Sequence, residues 1–238
     1  MLKLHQYPGI WGLPSLSPFC LKVETYLRMR NLPYAVVTEI NPRRGPKGKM
    51  PVLQDDKLII PDSTFIIDYL EKKYGALQGL SDVEQAVGLA MQRMIEEHLY
   101  FIILYSRWID REGKKIINQA FCKFFPRMIA TGALAYIRFS LRKQGFLQGI
   151  ARHSREEVYA LGIKDLQAIS HWLGDKPYFF GEKLSYIDAS VFAFMVTILL
   201  TPLDNPLQRT LKKEAQVIQY CERMRKRYFA ESMPSLLS

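Results

Sequence analysis

The spacing of apolar and polar positions changes character once along the chain. Over residues 1–75 short alternating runs interleave with helical spacing. Leu2–Tyr7 alternates and then meets Pro8-Gly9, which predicts a strand ending in a turn. Ser17–Arg30 is helical in spacing, with Ser17 as N-cap, Pro18 at the first helical position, and Leu21, Val23, Tyr26 and Leu27 apolar. Tyr34–Glu39 predicts a second strand. Pro51–Gln54 and Lys57–Ile60 flank Asp55-Asp56 and predict a hairpin. Ser63–Tyr74 predicts a helix with Phe65, Ile66, Ile67, Tyr69 and Leu70 inward, stopped by Gly75. One strand–helix–strand crossover plus a terminal hairpin gives a four-stranded mixed sheet with helices packed on it.

Beyond Leu80 no strand pattern survives. Residues 83–107, 112–145, 155–174, 185–201 and 207–229 have helical spacing, with loop signals at Gly149, Gly174–Pro177 and Pro202–Pro206. The expected organisation is an α/β domain over 1–75, a linker over 76–84 and an all-helical domain over 85–238. Ser185-Tyr186-Ile187-Asp188 has capping-box spacing, with Ser185 accepting from the N3 amide and Asp188 reaching back. It opens a helix apolar almost all round, which neighbouring helices must therefore bury.

Composition narrows the class. Of 238 residues, 48% are hydrophobic and 24% charged, which excludes disorder. Three cysteines (Cys20, Cys122, Cys221) are too few and too scattered for a disulfide framework or a zinc cluster, so no metal is expected and a reducing, cytoplasmic compartment fits. The first residues lack the apolar core of a secretory signal. The longest apolar stretch, Ala189–Leu203, is shorter than the roughly 20 residues of a transmembrane helix. Net charge is +10, and Arg111–Arg155 holds ten Lys/Arg against one acidic residue, Glu112. Such a stretch suits anionic ligands, a membrane surface or a solvated helix face; without a recognised motif, no nucleic-acid partner is expected.

Candidate chemistry gathers in the first half. Ser17 stands where the first helix presents unpaired amides and positive dipole, a setting that stabilises an anion or thiolate. Its hydroxyl is either a plain structural cap or a donor to such a thiolate. Cys20, one turn in and flanked by apolar residues, reads as a buried thiol. Pro51 at the head of a strand marks an edge or a special turn. A cis bond there would leave the Met50 backbone free to pair with an extended peptide. Asp62 and Ser63 precede another helix: Ser63 is the expected cap, while Asp62 either compensates the helix dipole or binds an ammonium.

Taken together, SLSPFCLKVETYLRMRNLPY, KMPVL and PDSTFIIDYLEKKYG resemble the thioredoxin-like domain of glutathione S-transferases, and the second half resembles their helical domain. The first run and the tail YCERMRKRYF look most like the failed-axon-connections and metaxin-related branch. Ser-Pro-Phe resembles the motif of plant serine-type transferases. The resemblance implies that Ser17 donates its hydroxyl to the glutathione thiolate, which attacks a hydrophobic electrophile. It also implies that Met50, before a cis Pro51, pairs with the cysteinyl unit. Asp62 and Ser63 would hold the γ-glutamyl end and Lys49 the glycyl carboxylate. Trp11, Leu13, Tyr105 and Trp108 are the implied electrophile wall, and the implied assembly is a homodimer. The alternative is a non-catalytic adaptor of metaxin-like type. Ser17 occupies the leading position of what would be Cys-x-x-Cys, which excludes a dithiol cycle within that motif. The loop Gly9–Leu16, longer than in most transferases and carrying Trp11, is expected to narrow the thiol pocket or host an unusual ligand.

Overall fold

A computed structural model describes residues 1–77, 79–122 and 127–237, with backbone alone at 127–130. Strands β1 (Leu2–Gln6), β2 (Tyr34–Thr38), β3 (Val52–Asp55) and β4 (Leu58–Pro61) form one sheet in the order β2-β1-β3-β4. β1 and β2 are parallel, which requires a crossover; helix α1 (Pro18–Met29) supplies it. The β1–β3 and β3–β4 pairs are antiparallel. The hairpin turn falls on Asp56-Lys57, with Asp56 at φ 52°, one residue later than expected, because Asp55 pairs with Leu58. Register places His5 beside Val52 and Val52 beside Pro61. The end of β1, the start of β3 and the end of β4 therefore share one edge.

Helix α2 (Ser63–Tyr74) closes this part, with Ile66, Ile67 and Leu70 buried. Phe65, expected inward, is exposed, and the Lys47 ammonium lies 4.4 Å over its ring. α3 (Asp82–Arg93) starts within the stretch read as linker, on a complete Ser81–Glu84 capping box. The helix continues through a π segment, Met94–Leu99, then α4 (Tyr100–Leu104), then a second π segment, Tyr105–Ile109. The expected single helix over 112–145 is two, α5 (Arg111–Phe121) and α6 (Arg127–Gln148), with 123–126 outside the described residues. α7 (Arg155–Leu173) begins on a Ser154–Glu157 capping box. The expected 207–229 helix divides into α9 (Pro206–Leu211) and α10 (Ala215–Tyr228).

α8 (Tyr186–Leu200) is buried from Ile187 to Ile198 and packs on α1. At its start Asp188 accepts from the Ser185 amide at 2.9 Å and the Ser185 hydroxyl at 3.2 Å. The Asp188 amide also reaches the Ser185 carbonyl at 3.1 Å, and the expected capping box is present in both directions. The second Asp188 oxygen receives the Phe179 amide at 2.8 Å and the Tyr220 hydroxyl at 3.1 Å. Apolar residues of both halves merge into one core, joined where Phe19 meets Tyr100 and Phe194 at 4.8 and 5.3 Å between ring centroids. Buried within that junction, the Lys22 ammonium sits 2.7 Å from Glu96, which also accepts from Ser190 and Gln92. Among the described residues no helix is long and apolar enough to cross a membrane, and no three metal-binding side chains cluster.

Candidate functional site

The shared sheet edge assembles the site. Ser17 follows β1 and caps α1 with extended backbone (φ −92°, ψ 125°); its Oγ accepts from the Cys20 amide at 3.4 Å. That bond uses a lone pair of the hydroxyl, while the hydroxyl hydrogen can serve the Cys20 sulfur beneath it. Ser17 is half-buried, and its own amide donates to the buried Ser15 Oγ at 3.3 Å.

Cys20 lies beneath, fully buried, and burial pushes its thiol up to about 11. The Tyr7 amide and the Ser17 and Ser15 hydroxyls bond to it and pull the other way without offsetting burial. A thiol with that ionisation is a packing group near neutral pH. Tyr7 stands just past β1, where its hydroxyl meets the Met50 backbone. Burial and its neighbour Cys20 hold the phenol well above its ordinary range, so it remains a protonated donor. Met50 is buried with Cys20 and Val52, and the Met50-Pro51 bond is cis.

Asp62 closes the group. It occupies the N-cap of α2 at φ 82°, an unusual region for a non-glycine residue, fixed by its amide bond to the Pro51 carbonyl at 3.3 Å. Its Oδ1 accepts from the Thr64 amide at 3.0 Å, so Asp62 rather than Ser63 is the cap, and Ser63 is the first helical residue. The other oxygen faces Lys47 at 3.8 Å. Lys49 is exposed beside the same loop; Lys47 is the cation that reaches Asp62.

The loop before Ser17 is a tight turn. Ile10 and Leu13 exchange both backbone hydrogen bonds, 3.0 and 2.9 Å, around Trp11 and Gly12 at positive φ. A Cβ on Gly12 would stand 2.6 Å from the Pro234 ring, so only glycine lets the C-terminal segment brace this turn. The Leu16 amide bonds the Pro8 carbonyl at 3.0 Å, and its carbonyl takes the Arg107 guanidinium at 2.9 Å.

The four implied wall residues disperse. Leu13 is buried, and Trp11 lies toward Arg107, 6.0 Å from its guanidinium carbon. Tyr105 packs edge-on to Tyr159 of α7 and Trp108 to Phe121 of α5. Phe19 and Tyr100 are the rings that meet beside Cys20. Sequence reasoning missed Tyr7, Ser15, Tyr100 and Arg107. Tyr7 alone had a signal, its place at the end of an alternating run just before Pro8-Gly9.

Two family models match the chain: a glutathione S-transferase N-terminal domain over residues 18–113 and a glutathione S-transferase C-terminal domain over 162–224. The isoprene-epoxide glutathione S-transferase of Rhodococcus sp. (strain AD45) is 33% identical, covering 96% of this chain and 99% of that protein. Failed axon connections of Drosophila melanogaster is 30% identical over 97% of this chain, which spans 59% of that longer protein. Metaxin-2 of Homo sapiens is 28% identical over 98% of this chain and 90% of its own length. Among solved structures, the beta-etherase LigF of Sphingobium sp. strain SYK-6 shares the fold at TM-score 0.67 and 16% identity, covering 97% of this chain and 99% of that one. With its mixed sheet, its helical second half and these relatives, the chain belongs to the glutathione S-transferase family, among homologues that include failed axon connections and the metaxins.

Proposed function

We propose that this protein binds glutathione and conjugates its thiolate to a small hydrophobic electrophile, with Ser17 stabilising the thiolate. The observation that carries this reading is the half-buried Ser17 hydroxyl at the α1 N-terminus, on the same sheet edge as the cis Met50-Pro51 bond and Asp62. A serine held only as a cap needs none of the polar groups that share its sheet edge. In this reading the α1 N-terminus adds partial positive charge beneath the sulfur. Met50 presents its backbone to the cysteinyl unit, with Pro51 setting the strand entry. Asp62 and Ser63 receive the γ-glutamyl ammonium and carboxylate, and Lys49 the glycyl carboxylate. The electrophile lies toward the helical half, with Trp11 and Leu13 as the members of the expected wall nearest Ser17 in the chain. The similarity to an isoprene-epoxide transferase makes small epoxides the first electrophile class to test. A homodimer in the cytoplasm, divided at residues 76–84, completes the proposal.

Calorimetric titration with glutathione, followed by conjugation assays with an epoxide panel, tests it. Saturable one-to-one binding and epoxide-dependent loss of thiol are expected; a flat titration overturns it. A second reading, a non-catalytic adaptor, draws on two observations. Lys47 already sits against Asp62, and α6 exposes Tyr136, Phe139, Phe146 and Leu147, a helix face suited to a protein partner. A flat titration together with stable self-association or partner capture through α6 would favour it.

A further inference from the structure

Arg107 is buried to 4% exposure in the second π segment, yet among the described residues its guanidinium meets no carboxylate. Its acceptors are the Leu16 carbonyl at 2.9 Å, the Thr197 carbonyl at 2.9 Å and the Thr201 hydroxyl, all neutral. The other buried cations among the described residues are paired differently: Lys22 with Glu96 at 2.7 Å and Arg225 with Glu222 at 2.8 Å. Burying a lone charge is costly. A neutral donor such as glutamine would serve carbonyl and hydroxyl acceptors without that cost. Burial lowers the Arg107 guanidinium to about 10, which still leaves it charged at neutral pH.

The direction of that charge is informative. The carbonyl it grips belongs to the peptide that delivers Ser17 to the α1 N-terminus, so a cation without a carboxylate partner is tied to the residue proposed to hold the thiolate. We propose that Arg107 is a positioning residue for thiolate formation, fixing the Leu16–Ser17 peptide and supplying the charge that an anionic sulfur at Ser17 offsets. This rests on the glutathione-binding reading given above. The titratable groups around the position are Tyr100 from α4, Cys20 from α1 and Tyr7 after β1. Burial holds all three above their ordinary ranges and so neutral near pH 7, Tyr100 at about 12. Asp62 and Lys47 stand together at the head of α2. The Glu24 and Glu39 carboxylates act on Cys20 and Tyr7 from the first half of the chain, and Arg107 is the cation bonded to the Leu16–Ser17 peptide from the helical half.

The test is an ultraviolet pH titration of the thiolate of bound glutathione, with circular dichroism as the folding control. Arg107→Gln keeps donors for Leu16 but removes the charge, and should raise the bound-thiol pKa by about one unit, the shift expected of a nearby unit charge in a protein environment. Arg107→Lys keeps the charge with fewer hydrogen bonds; it should lower thermal stability yet hold the pKa within about 0.3 units of wild type. A bound-thiol pKa unchanged in Arg107→Gln overturns the proposal, as does one raised equally in Arg107→Lys. Should the glutamine variant not fold, Arg107→Met, which removes the buried charge for an apolar chain of similar length, carries the same expected rise and the same overturning result. Wild-type protein that binds no glutathione removes the parent reading and this one together, whereas binding with an unmoved pKa removes this one only.

Discussion

Asp62 has two tasks that a single substitution can separate. Its carboxylate caps α2 through the Thr64 amide, and its charge is the feature assigned to the ligand ammonium. Asparagine caps helices about as well as aspartate. Asp62→Asn should therefore leave the melting temperature near wild type while weakening glutathione binding about tenfold, the loss of one charge-assisted hydrogen bond. Equal affinity in calorimetry would remove Asp62 from the ligand site. Cys20→Ser should keep conjugation within about twofold, since a thiol pushed up to about 11 by burial supplies no nucleophile. A severe loss would move the chemistry to Cys20. Ser17 and Asp62 were legible because a cap beside proline or at a strand–helix step is written in local sequence. Arg107 was not: an arginine within a helical run carries no sign that three neutral acceptors from distant segments enclose it.

At the scale of elements, capping explains most boundaries that the pattern located. The Ser185–Asp188 step was readable, though the donors that converge on Asp188 from Phe179 and Tyr220 were not, because they come from outside the helix. Burial holds this carboxyl at about 6, above the ordinary 3.8. The native state keeps its proton to higher pH than the unfolded chain. Its contribution to stability is complete below the unfolded value and is lost as pH rises through about 6. Asp188→Ala leaves the Phe179 and Ser185 amides and the Tyr220 hydroxyl without this acceptor. It should be destabilised at every pH in urea unfolding, and its deficit against wild type should shrink by roughly 3 kcal/mol from about pH 4 to pH 7. A deficit that grows with pH contradicts the assignment. The two π segments were invisible in sequence, since one wider turn barely disturbs apolar periodicity. The break between α9 and α10 was hidden likewise, because Lys212–Glu214 is polar in both a turn and an exposed helix face.

Across the whole molecule, the division into a mixed sheet followed by helices was evident from the change in period, but the union of the halves was not. Lys22 is a charged residue in the middle of α1; α8 and the first π segment enclose it, with Glu96 as its partner. Removing one member of a buried pair strands the other, so Lys22→Met should cost about 3–5 kcal/mol in urea unfolding. Lys22→Met with Glu96→Gln should recover part of that loss, and a single variant near wild type would show that the pair contributes little. The basic stretch Arg111–Arg155 also resolves in part at this scale. Arg155 bonds Asp110, Lys115 bonds Glu112 and Arg138 bonds Asn118, while Arg142 and Lys143 remain exposed on α6.

The most direct trial of the serine-stabilised thiolate is the ultraviolet thiolate absorbance of glutathione bound at neutral pH, compared between wild type and Ser17→Ala with binding measured in parallel. Wild type should show the thiolate band, and the alanine variant should bind the tripeptide but lose the band and conjugation with it. A band that persists in Ser17→Ala, or a wild type that binds glutathione without ever showing one, would contradict the role given to Ser17.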